Sequence, residues 1–431
     1  MRSKNIDVVI IVEHVARELD IACLIKYLLQ RSGFSVEVLS LPYHGISSLK
    51  GNPVTVLAVP YCYSLGVYKT LLQRCPVTSL FNIAYEQIFQ NINENLKAPK
   101  DDFAKKHVIH HAWSRHYAEY LKKYGVDPNN IFLNGNLSYA LYKRPYHHYF
   151  PSRREMAEKF HLDPDKKWVF IPENYGAAFY SDDIIDEKIK KGIDAHEVLE
   201  YREFASRSLR QVIRWCARAA ESGTVEIIFR PRPATSQEKM QNVFAGELAE
   251  IPPALRIIKD LTVRDWILSS DIVLSSYSTT LIEAAVAGKP IGMLAPAPFP
   301  EYLNASWYSM VPKIETFDDF ARTISTPSPD TYQALRQWAE ANMMSTGDPV
   351  MGVVNLLIAA KERGIEIPGH YKKRPEKNKI TGVISQTFET LVFLKRKVLF
   401  RHPEIVEDYE NDYFTQTDVN RRVAQWERVL G

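Results

Sequence analysis

Twice along the 431-residue chain, short β-branched runs alternate with helical patterns. The first set begins with IDVVIIV at 6–12, DIACLIKYLLQRSG at 20–33 and VTVLAVP at 54–60, and the second with WVFIP at 168–172 and VEIIFRP at 225–231. Strands that alternate with helices form a parallel sheet covered by helices. The sequence therefore predicts an α/β protein with two Rossmann-like, doubly wound domains.

The two sets also define the predicted domain boundaries. Residues 1–145 form the first domain and residues 146–365 the second, with a proline-containing linker near the junction. Residues 366–431 form a helical tail that is basic at its start and acidic later. Its mixture of apolar and basic residues predicts either a helix that packs back on the first domain or contact with an anionic membrane surface.

Charge and cysteine usage restrict the class of protein. A net charge of +3 gives no reason to expect a nucleic-acid partner. The four cysteines lack the spacing of a zinc site or a disulfide framework, which predicts a cytoplasmic protein. No apolar run reaches the roughly 20 residues that span a bilayer. The motifs GxGxxG, GxxxxGK[ST], HExxH and GxSxG are missing, so dehydrogenase, P-loop, zincin and hydrolase chemistry lose their usual marks.

Polar residues follow the predicted strands of the first domain, where ligands of parallel sheets gather. Glu18 comes after the first strand together with His14 and Arg17, and Glu86 follows a later strand in an aromatic setting. Either carboxylate could act as a base, whereas the alternatives are a favourable helix N-terminus for Glu18 and an ordinary surface position for Glu86. Asn136 belongs to the turn LNGN, which allows close backbone approach to a ligand.

The second domain has two anion-binding patterns. In IIFRPRP, Arg230 and Arg232 stand at a strand end, where guanidinium groups suit a phosphate or a diphosphate. Further on, a hydroxyl-rich turn opens a helix that carries Glu283 within reach of a ribose hydroxyl; its residues are Ser275, Ser276, Ser278 and Thr279. The acidic pair Asp182-Asp183 is read as a solvated loop, and no metal site is predicted.

Together these segments resemble bacterial surface carbohydrate biosynthesis proteins. VEHVARELD at 12–20, AYEQ at 84–87 and FLNGN at 132–136 look like that family's N-terminal turns. PSRREMAEKFHLDPDKKWVFIPENYG at 151–176 is similar to the start of the C-terminal domain of capsule-type transferases, including Kdo transferases and teichoic acid polymerases. RPRP at 230–233 and SSYSTTLIEAAVAGKP at 275–290 are similar to the donor-binding turns of those families. One departure is the run RPRP, since relatives usually carry His-Pro there.

The resemblance implies a GT-B glycosyltransferase, in which the two domains face a central cleft. It implies inverting transfer, without a metal or other cofactor, from a nucleotide-sugar to a surface polysaccharide or lipid-linked glycan of a capsule or lipopolysaccharide. Kdo from a CMP donor is preferred, with UDP and GDP sugars as alternatives. The base would be Glu18 or Glu86, and His14, Arg17 and Asn136 would bind the acceptor. The donor-binding set would be Arg230, Arg232, Ser275, Ser276, Ser278, Thr279, Glu283 and Asn174.

Three other functions stay open at this point. The first is transfer of a polyol phosphate from a CDP donor, as in teichoic acid synthesis. The second is 2-epimerisation of a free nucleotide-sugar, and the third is a non-catalytic glycan-binding subunit. The expected location is the cytoplasm, with peripheral contact at the inner membrane through the basic tail as an option. The sequence leaves the oligomeric state undetermined.

Overall fold

The computed structural model describes residues 5–44, 49, 51–88, 97–344, 347–372 and 412–431. Within these ranges the chain forms two compact units. The first takes its described residues from Met1–Gln87, Asn95–Ser138 and Met343–Gly431, and the second is centred on Tyr139–Asn342. No helix in the described parts of the chain is both long enough and apolar enough to cross a bilayer.

The first unit is built on a parallel sheet. Its strands β1 to β6 are Ile6–Ile11, Val36–Leu39, Val54–Val59, Val77–Asn82, Val108–Ala112 and Ile131–Leu133. They are hydrogen-bonded in the order β2-β1-β3-β4-β5-β6. A parallel sheet is covered on both faces, so its inner strands are apolar throughout. Val8, Val9 and Ile10 of β1 are accordingly fully buried.

Helices follow the strands of the first unit. In chain order, α1 to α6 are Asp20–Arg31, Leu41–His44, Lys69–Arg74, Asp102–Lys106, Arg115–Lys123 and Leu137–Ala140. Side-chain caps fix two of the starts, because Asp101 accepts a hydrogen bond from the Ala104 amide and Ser114 from the Tyr117 amide. Before α1, residues Val15–Leu19 form a short π-helical segment directly after β1.

The second unit repeats the architecture with its own sheet. Strands β7 to β12 are Lys167–Pro172, Val225–Arg230, Leu255–Ile257, Ile272–Ser275, Ile291–Leu294 and Lys313–Ile314. They are parallel and lie in the order β12-β11-β10-β7-β8-β9. Strands β7, β8 and β10 are therefore central neighbours, and their carboxyl ends meet at one edge of the sheet.

Eight helices of the described chain accompany this second sheet. In chain order, α7 to α14 are Arg153–Phe160, Asp182–Lys190, Ala195–Ala220, Gln237–Glu247, Val263–Ser269, Thr280–Val286, Phe317–Ser325 and Asp330–Met343. Capping boxes begin two of them, α7 at Ser152 with Glu155 and α11 at Thr262 with Asp265. These reciprocal hydrogen bonds satisfy amides that the first helical turn leaves free.

The last helices return to the first unit. They are α15 at Pro349–Arg363, α16 at Gly369–Lys372 and α17 at Gln416–Leu430. Helix α15 packs against β1, β3, β4 and α1, and α17 packs against α1. In α17, the buried Trp426 donates its indole N–H to the Asp20 carbonyl oxygen at 2.9 Å, and Arg422 Nε lies 2.9 Å from Asp20 Oδ1.

These units differ from the predicted boundaries. The segment 349–363, assigned from the sequence to the second domain, belongs to the first unit because Val350, Val353, Val354 and Leu357 of α15 are buried against it. Of the predicted tail at 366–431, the described helix α17 also belongs to the first unit. Most of the basic stretch, 373–411, lies outside the described residues, so membrane contact stays a prediction.

Candidate functional site

Each unit gathers polar side chains at the carboxyl edge of its sheet, the edge at which ligands of open α/β sheets bind. We call the group in the first unit the β1 cluster; it consists of Glu13, His14, Arg17, Glu18, Glu86, Lys97 and Asp412. The group in the second unit is called the β7 cluster and consists of Glu173, Asn174, Gly176, Arg230, Arg232 and the turn 275–279.

Arg17 links the two carboxylates that the sequence suggested as bases. Its Nη2 and Nε lie 2.7 and 3.1 Å from Glu18 Oε1, and its Nη1 donates to Glu86. Burial lowers the pKa of Arg17, but the charges of Glu18 and Glu86 outweigh it and raise the pKa above its usual value. The structure thus brings together Arg17, Glu18 and Glu86, which come from the ends of different strands.

The two carboxylates differ in environment. Glu18 has no exposed surface, and its Oε2 accepts the Glu13 amide at 2.8 Å while Oε1 accepts Arg17. Burial raises the pKa of Glu18 more than Arg17 lowers it. Burial also acts to raise the pKa of the more exposed Glu86, but Arg17 and Lys97 lower it to about 2. Glu86 is therefore a charged ion-pair partner with low proton affinity, and Glu18 has both oxygens occupied.

His14 forms a second pair in the β1 cluster. Its Nδ1 lies 2.9 Å from Asp412 Oδ2, and the other carboxylate oxygen, Oδ1, accepts the Val15 amide at 2.9 Å. The His14 side chain is 49% exposed, and its Nε2 lies 3.8 Å from Glu13 Oε2. The hydrogen bond that Asp412 accepts from His14 raises the pKa of His14 more than burial lowers it. Asp412 is a partner that sequence reasoning missed.

Two tyrosines add an aromatic flank to the β1 cluster. Tyr61 and Tyr63 follow β3 and stack with ring centroids 5.3 Å apart. Burial, together with the nearby Glu13, raises the pKa of Tyr61 to about 12, so its hydroxyl stays a donor at neutral pH. Aromatic rings with a polar tip suit the face and edge of a sugar. No sequence pattern pointed to these two tyrosines.

Asn136 lies at the other side of the first sheet. It follows β6, which is separated from β1 by three strands and hence by roughly 19 Å at the usual strand spacing. The side chain is buried, its Oδ1 accepts the Ser138 amide at 2.8 Å, and its own amide donates to Met343. These contacts are those of a buried turn and helix start, so the predicted acceptor role of Asn136 has no support in this placement.

In the β7 cluster, Arg232 lies over the loop that follows β7. A Cβ atom added to Gly176 would come within 1.7 Å of Arg232 Nη1, so only glycine lets the guanidinium occupy this position. The buried Glu173 supports the same loop by accepting the backbone amides of Arg232, at 3.1 Å, and of Tyr175. Burial raises the pKa of Glu173 despite these bonds.

Arg230 has a different environment from the one the sequence suggested. It is 4% exposed, and its Nη2 donates to the Leu261 carbonyl oxygen at 2.7 Å. Burial lowers its pKa to about 10, against the raising effect of Asp265 and Asp260. The guanidinium therefore ties β8 to the turn before α11, and Arg232 is the arginine of the pair that is left near the surface.

The hydroxyl-rich turn is partly used for internal bonds. Ser275 Oγ donates to the Pro172 carbonyl oxygen at 2.7 Å, and Ser276 Oγ accepts the Tyr277 amide at 2.6 Å. Both serines are buried, whereas Ser278 is half-buried and Thr279 is exposed. Ser278 Oγ also donates to Thr280 Oγ1 at 3.0 Å. The turn thus presents fewer hydroxyl groups to a ligand than its sequence suggests, and Thr279 is the exposed one.

Two further predicted residues lie in this region of the second unit. Asn174 Nδ2 donates to the Tyr277 carbonyl oxygen at 3.3 Å, which joins the loop after β7 to the hydroxyl turn. Glu283, one turn into α12, accepts the Tyr142 hydroxyl at 2.7 Å through Oε2. The ring centroids of Tyr201, in α9, and Tyr277 are 6.1 Å apart. The charges of Glu173 and Arg232 act on the pKa of Tyr201. An aromatic ring therefore lies near Arg232.

Among the described residues, His, Cys, Asp and Glu side chains form no group of three or more that could hold a metal ion. Sequence reasoning also missed Glu173, although it directly follows the strand WVFIP and so satisfies the rule that found Arg232. Asp412 gave no local signal, because it pairs with a residue 398 positions away.

A scan of the sequence against protein-family models finds no match, and a search of curated proteins finds no relative. Solved structures are similar. A variant of the wall teichoic acid polymerase TagF matches with a TM-score of 0.52 at 10% identity, covering 84% of this chain and 89% of that one. A TagF variant soaked with CDPG gives 0.50 at 11% identity, covering 83% and 89%.

The UDP co-structure of S. aureus MnaA gives a TM-score of 0.50 at 14% identity, covering 86% of this chain and 99% of that one. At such identities these likenesses show the fold. The chain has the GT-B architecture of two Rossmann-like units, each with a six-stranded parallel sheet flanked by helices. The predicted fold class is confirmed.

Proposed function

We propose that this protein is a glycosyltransferase that moves a sugar from a nucleotide-sugar to a surface polysaccharide or a lipid-linked glycan. The observation that carries the proposal is Arg232 held over Gly176 at the carboxyl edge of the second sheet. A guanidinium beside glycine backbone at this edge suits a phosphate or diphosphate group. The half-buried ring of Tyr201, which packs on the buried Tyr277, suits a base or a sugar ring.

The nucleotide class is supported by the structural neighbours. The MnaA structure contains UDP, and one TagF structure was soaked with CDPG. We carry this ligand class over to the second unit of the present chain. A CMP-activated acid sugar such as Kdo is the preferred donor on the resemblance of the sequence, with UDP and GDP sugars as alternatives.

Within the second unit, we assign the phosphate contact to Arg232 and the exposed Thr279, with the half-buried Ser278 beside them. Glu283 is assigned to the ribose, for which its interaction with Tyr142 orients the carboxylate. Asn174 holds the loop after β7 in place through Tyr277. Arg230, Ser275 and Ser276 are assigned to the support of these elements, since their polar atoms bind backbone groups.

The proposed reaction inverts the anomeric centre and uses no metal. As the donor bond breaks, Arg232 stabilises the negative charge that develops on the departing phosphate. The acceptor would bind at the β1 cluster, near Arg17 and the tyrosine pair Tyr61 and Tyr63. Inverting transfer also requires one base to take the acceptor hydroxyl proton. Glu86 has too low a pKa for that task, and Glu18 is fully buried with both of its oxygens accepting hydrogen bonds.

A thermal-shift screen against CMP, CDP, UDP, GDP and NAD tests the donor site, with magnesium and with EDTA in parallel. A ligand at 100 times its Kd stabilises the native state by about 2.7 kcal/mol. We expect one nucleotide to raise the melting temperature equally in EDTA and in magnesium. Arg232→Ala should abolish the shift, whereas the exposed Arg154→Ala in the same unit should keep it. A shift that survives Arg232→Ala contradicts the donor assignment, and a shift lost in EDTA contradicts the metal-free reaction.

The likeness to TagF favours one second candidate, transfer of a polyol phosphate from a CDP donor. Arg232 would then bind a transferring phosphoryl group instead of a leaving one. The products separate the two reactions, because only polyol phosphate transfer creates a new phosphodiester, which ³¹P NMR detects. The likeness to MnaA keeps 2-epimerisation as a third candidate, and turnover of the free nucleotide-sugar without any acceptor would identify it. Nucleotide binding with no turnover of any donor would identify a binding subunit.

A further inference from the structure

We propose that His14 is the base that accepts the proton of the acceptor hydroxyl, and that Asp412 is a positioning residue that orients its imidazole ring. This inference rests on the proposed glycosyl transfer. It replaces Glu18 and Glu86, the carboxylates suggested by the sequence, with a residue that was assigned to acceptor binding only.

The geometry of the pair His14 and Asp412 supports this assignment. A carboxylate accepts hydrogen bonds and donates none, so the contact of 2.9 Å between Asp412 Oδ2 and Nδ1 fixes the proton of neutral His14 on Nδ1. Nε2 then carries the lone pair that a base needs. Asp412 is itself held from a second side, because its Oδ1 accepts the Val15 amide at 2.9 Å. Ring orientation and tautomer are thus both determined.

An acceptor hydroxyl also needs to reach the Nε2 atom of His14. The His14 side chain is 49% exposed, and Nε2 stands 3.8 Å from the nearest carboxylate oxygen of Glu13, beyond hydrogen-bonding distance. An acceptor hydroxyl can therefore approach Nε2. Glu18, in contrast, is fully buried. His14 is therefore exposed, and its Nε2 is available as an acceptor while Nδ1 is paired with Asp412.

Charges of both signs surround the imidazole ring of His14. Asp412 and Glu13 favour the protonated imidazole, and Arg17 and partial burial disfavour it. Glu18 also faces this region and is paired with Arg17. The net effect raises the pKa of His14 above its usual value, chiefly through the hydrogen bond to Asp412.

Packing of the residues that follow Asp412 fixes it in place. Two residues later, Phe414 is buried and its ring lies edge-on to His44 at 5.0 Å. Thr415 then begins α17 with a capping box to Asp418, and α17 is fastened to α1 through Trp426. The C-terminal segment therefore supplies Asp412 to the first unit, and its helix α17 covers α1.

The proposed step transfers one proton and one glycosyl group. The acceptor O–H bond breaks and its proton goes to His14 Nε2. The acceptor oxygen forms a bond to the anomeric carbon, while the bond from that carbon to the donor phosphate oxygen breaks and its electron pair leaves with the nucleotide. The resulting imidazolium is stabilised by Asp412 and returns its proton to solvent.

The test compares the full-length protein with His14→Gln and Asp412→Asn. Nucleotide release is measured with a sugar donor built on the nucleotide that gives the thermal shift, in the presence of a glycolipid extract of the source organism. We expect His14→Gln to lower kcat by about 10² to 10⁴ and to leave the nucleotide-induced thermal shift unchanged. His116→Gln and Asp102→Asn, which alter exposed residues of the same unit, are the matched controls and should retain activity.

The pH profile separates a positioning role for Asp412 from a merely structural one. The rate of the wild type should rise with pH up to a break above 6.5, the ordinary value for His14. In Asp412→Asn the break should move to lower pH, and the NMR titration of the His14 ring should move with it. Wild-type turnover that persists in His14→Gln overturns the base and leaves glycosyl transfer standing. A wild type that releases no nucleotide from any donor overturns glycosyl transfer and the base with it.

Discussion

Replacing Gly176 with alanine should break nucleotide binding while leaving the fold intact. The added Cβ would lie 1.7 Å from Arg232 Nη1 and 2.9 Å from its Cζ, so the guanidinium must leave its position. Atoms at the end of a flexible side chain can move at low cost. The backbone of Gly176 lies outside the left-handed region, so alanine is compatible with its conformation. We therefore expect the free energy of unfolding to change by less than about 1 kcal/mol.

The effect on binding follows from the interaction that is lost. Hydrogen bonds to charged groups contribute about 1.5–3 kcal/mol, which corresponds to a weakening of the Kd by about 10- to 150-fold. Isothermal titration of the nucleotide that gives the thermal shift measures this directly. Because Gly176→Ala acts only by displacing Arg232, the double variant with Arg232→Ala should bind no more weakly than either single variant.

The matched control is Gly246→Ala. Gly246 is exposed in α10, and an added Cβ meets no atom within 4 Å. It should bind nucleotide like the wild type and gain about 0.5–1 kcal/mol of stability from its helical position. Wild-type affinity in Gly176→Ala would refute the reasoning, since it would mean that the guanidinium position over the loop is irrelevant to the ligand. An additive loss in the double variant would show that glycine acts apart from Arg232.

Two predictions concern stability. Trp426→Ala should lower the free energy of unfolding by about 3–5 kcal/mol, measured by urea denaturation, because a fully buried indole is removed; the exposed Arg428→Ala should change it little. The buried His111 has its pKa lowered to about 4 by burial, below its ordinary 6.5. The unfolded chain thus binds the extra proton between these values, and stability falls as pH decreases through that window. His111→Gln should reduce this slope by roughly 1.4 kcal/mol per pH unit, whereas the exposed His116→Gln should leave it unchanged; equal slopes in wild type and His111→Gln would contradict the argument.

The sequence was sufficient for the fold because each predicted strand is a continuous apolar run. IDVVIIV and WVFIP could be assigned to covered parallel sheets from composition alone, and the comparison with solved structures confirms that architecture. The strand-end rule also located part of the β1 cluster. His14, Arg17 and Glu18 follow β1, Glu86 follows β4, and parallel strands present their carboxyl ends at the same edge.

The state of each candidate side chain could not be predicted. Arg230 and Arg232 stand two positions apart in the same motif, yet one binds the Leu261 carbonyl and the other lies over Gly176. The difference depends on which turns surround the strand end, and those turns come from distant parts of the chain. Ser275 and Ser276 are likewise used by the backbone. A motif specifies the chemical groups that are present, whereas packing decides which of them stay free.

The same limit explains why residues 349–363 were predicted to belong to the second domain. Helix α15 buries Val350, Val353, Val354 and Leu357 on the first sheet. At about 1.5–3 kcal/mol for each side chain, this burial amounts to roughly 6–12 kcal/mol, which is as large as the whole stability of an ordinary domain. An amphipathic pattern shows that such a helix needs a partner surface and leaves the identity of that surface open.

The first unit is therefore discontinuous in sequence, and the proposed base and its positioning residue come from opposite ends of the described chain. The chain segment that covers β1, β3 and β4 is followed by the one that delivers Asp412 to His14. A cut before residue 343 would remove both at once, so it would destabilise the sheet and leave the imidazole without its carboxylate. A substitution at Asp412 removes the carboxylate alone. Comparing these two changes separates the contribution of the C-terminal segment to folding from its contribution to the chemistry, because only Asp412→Asn should leave the melting temperature near that of the wild type.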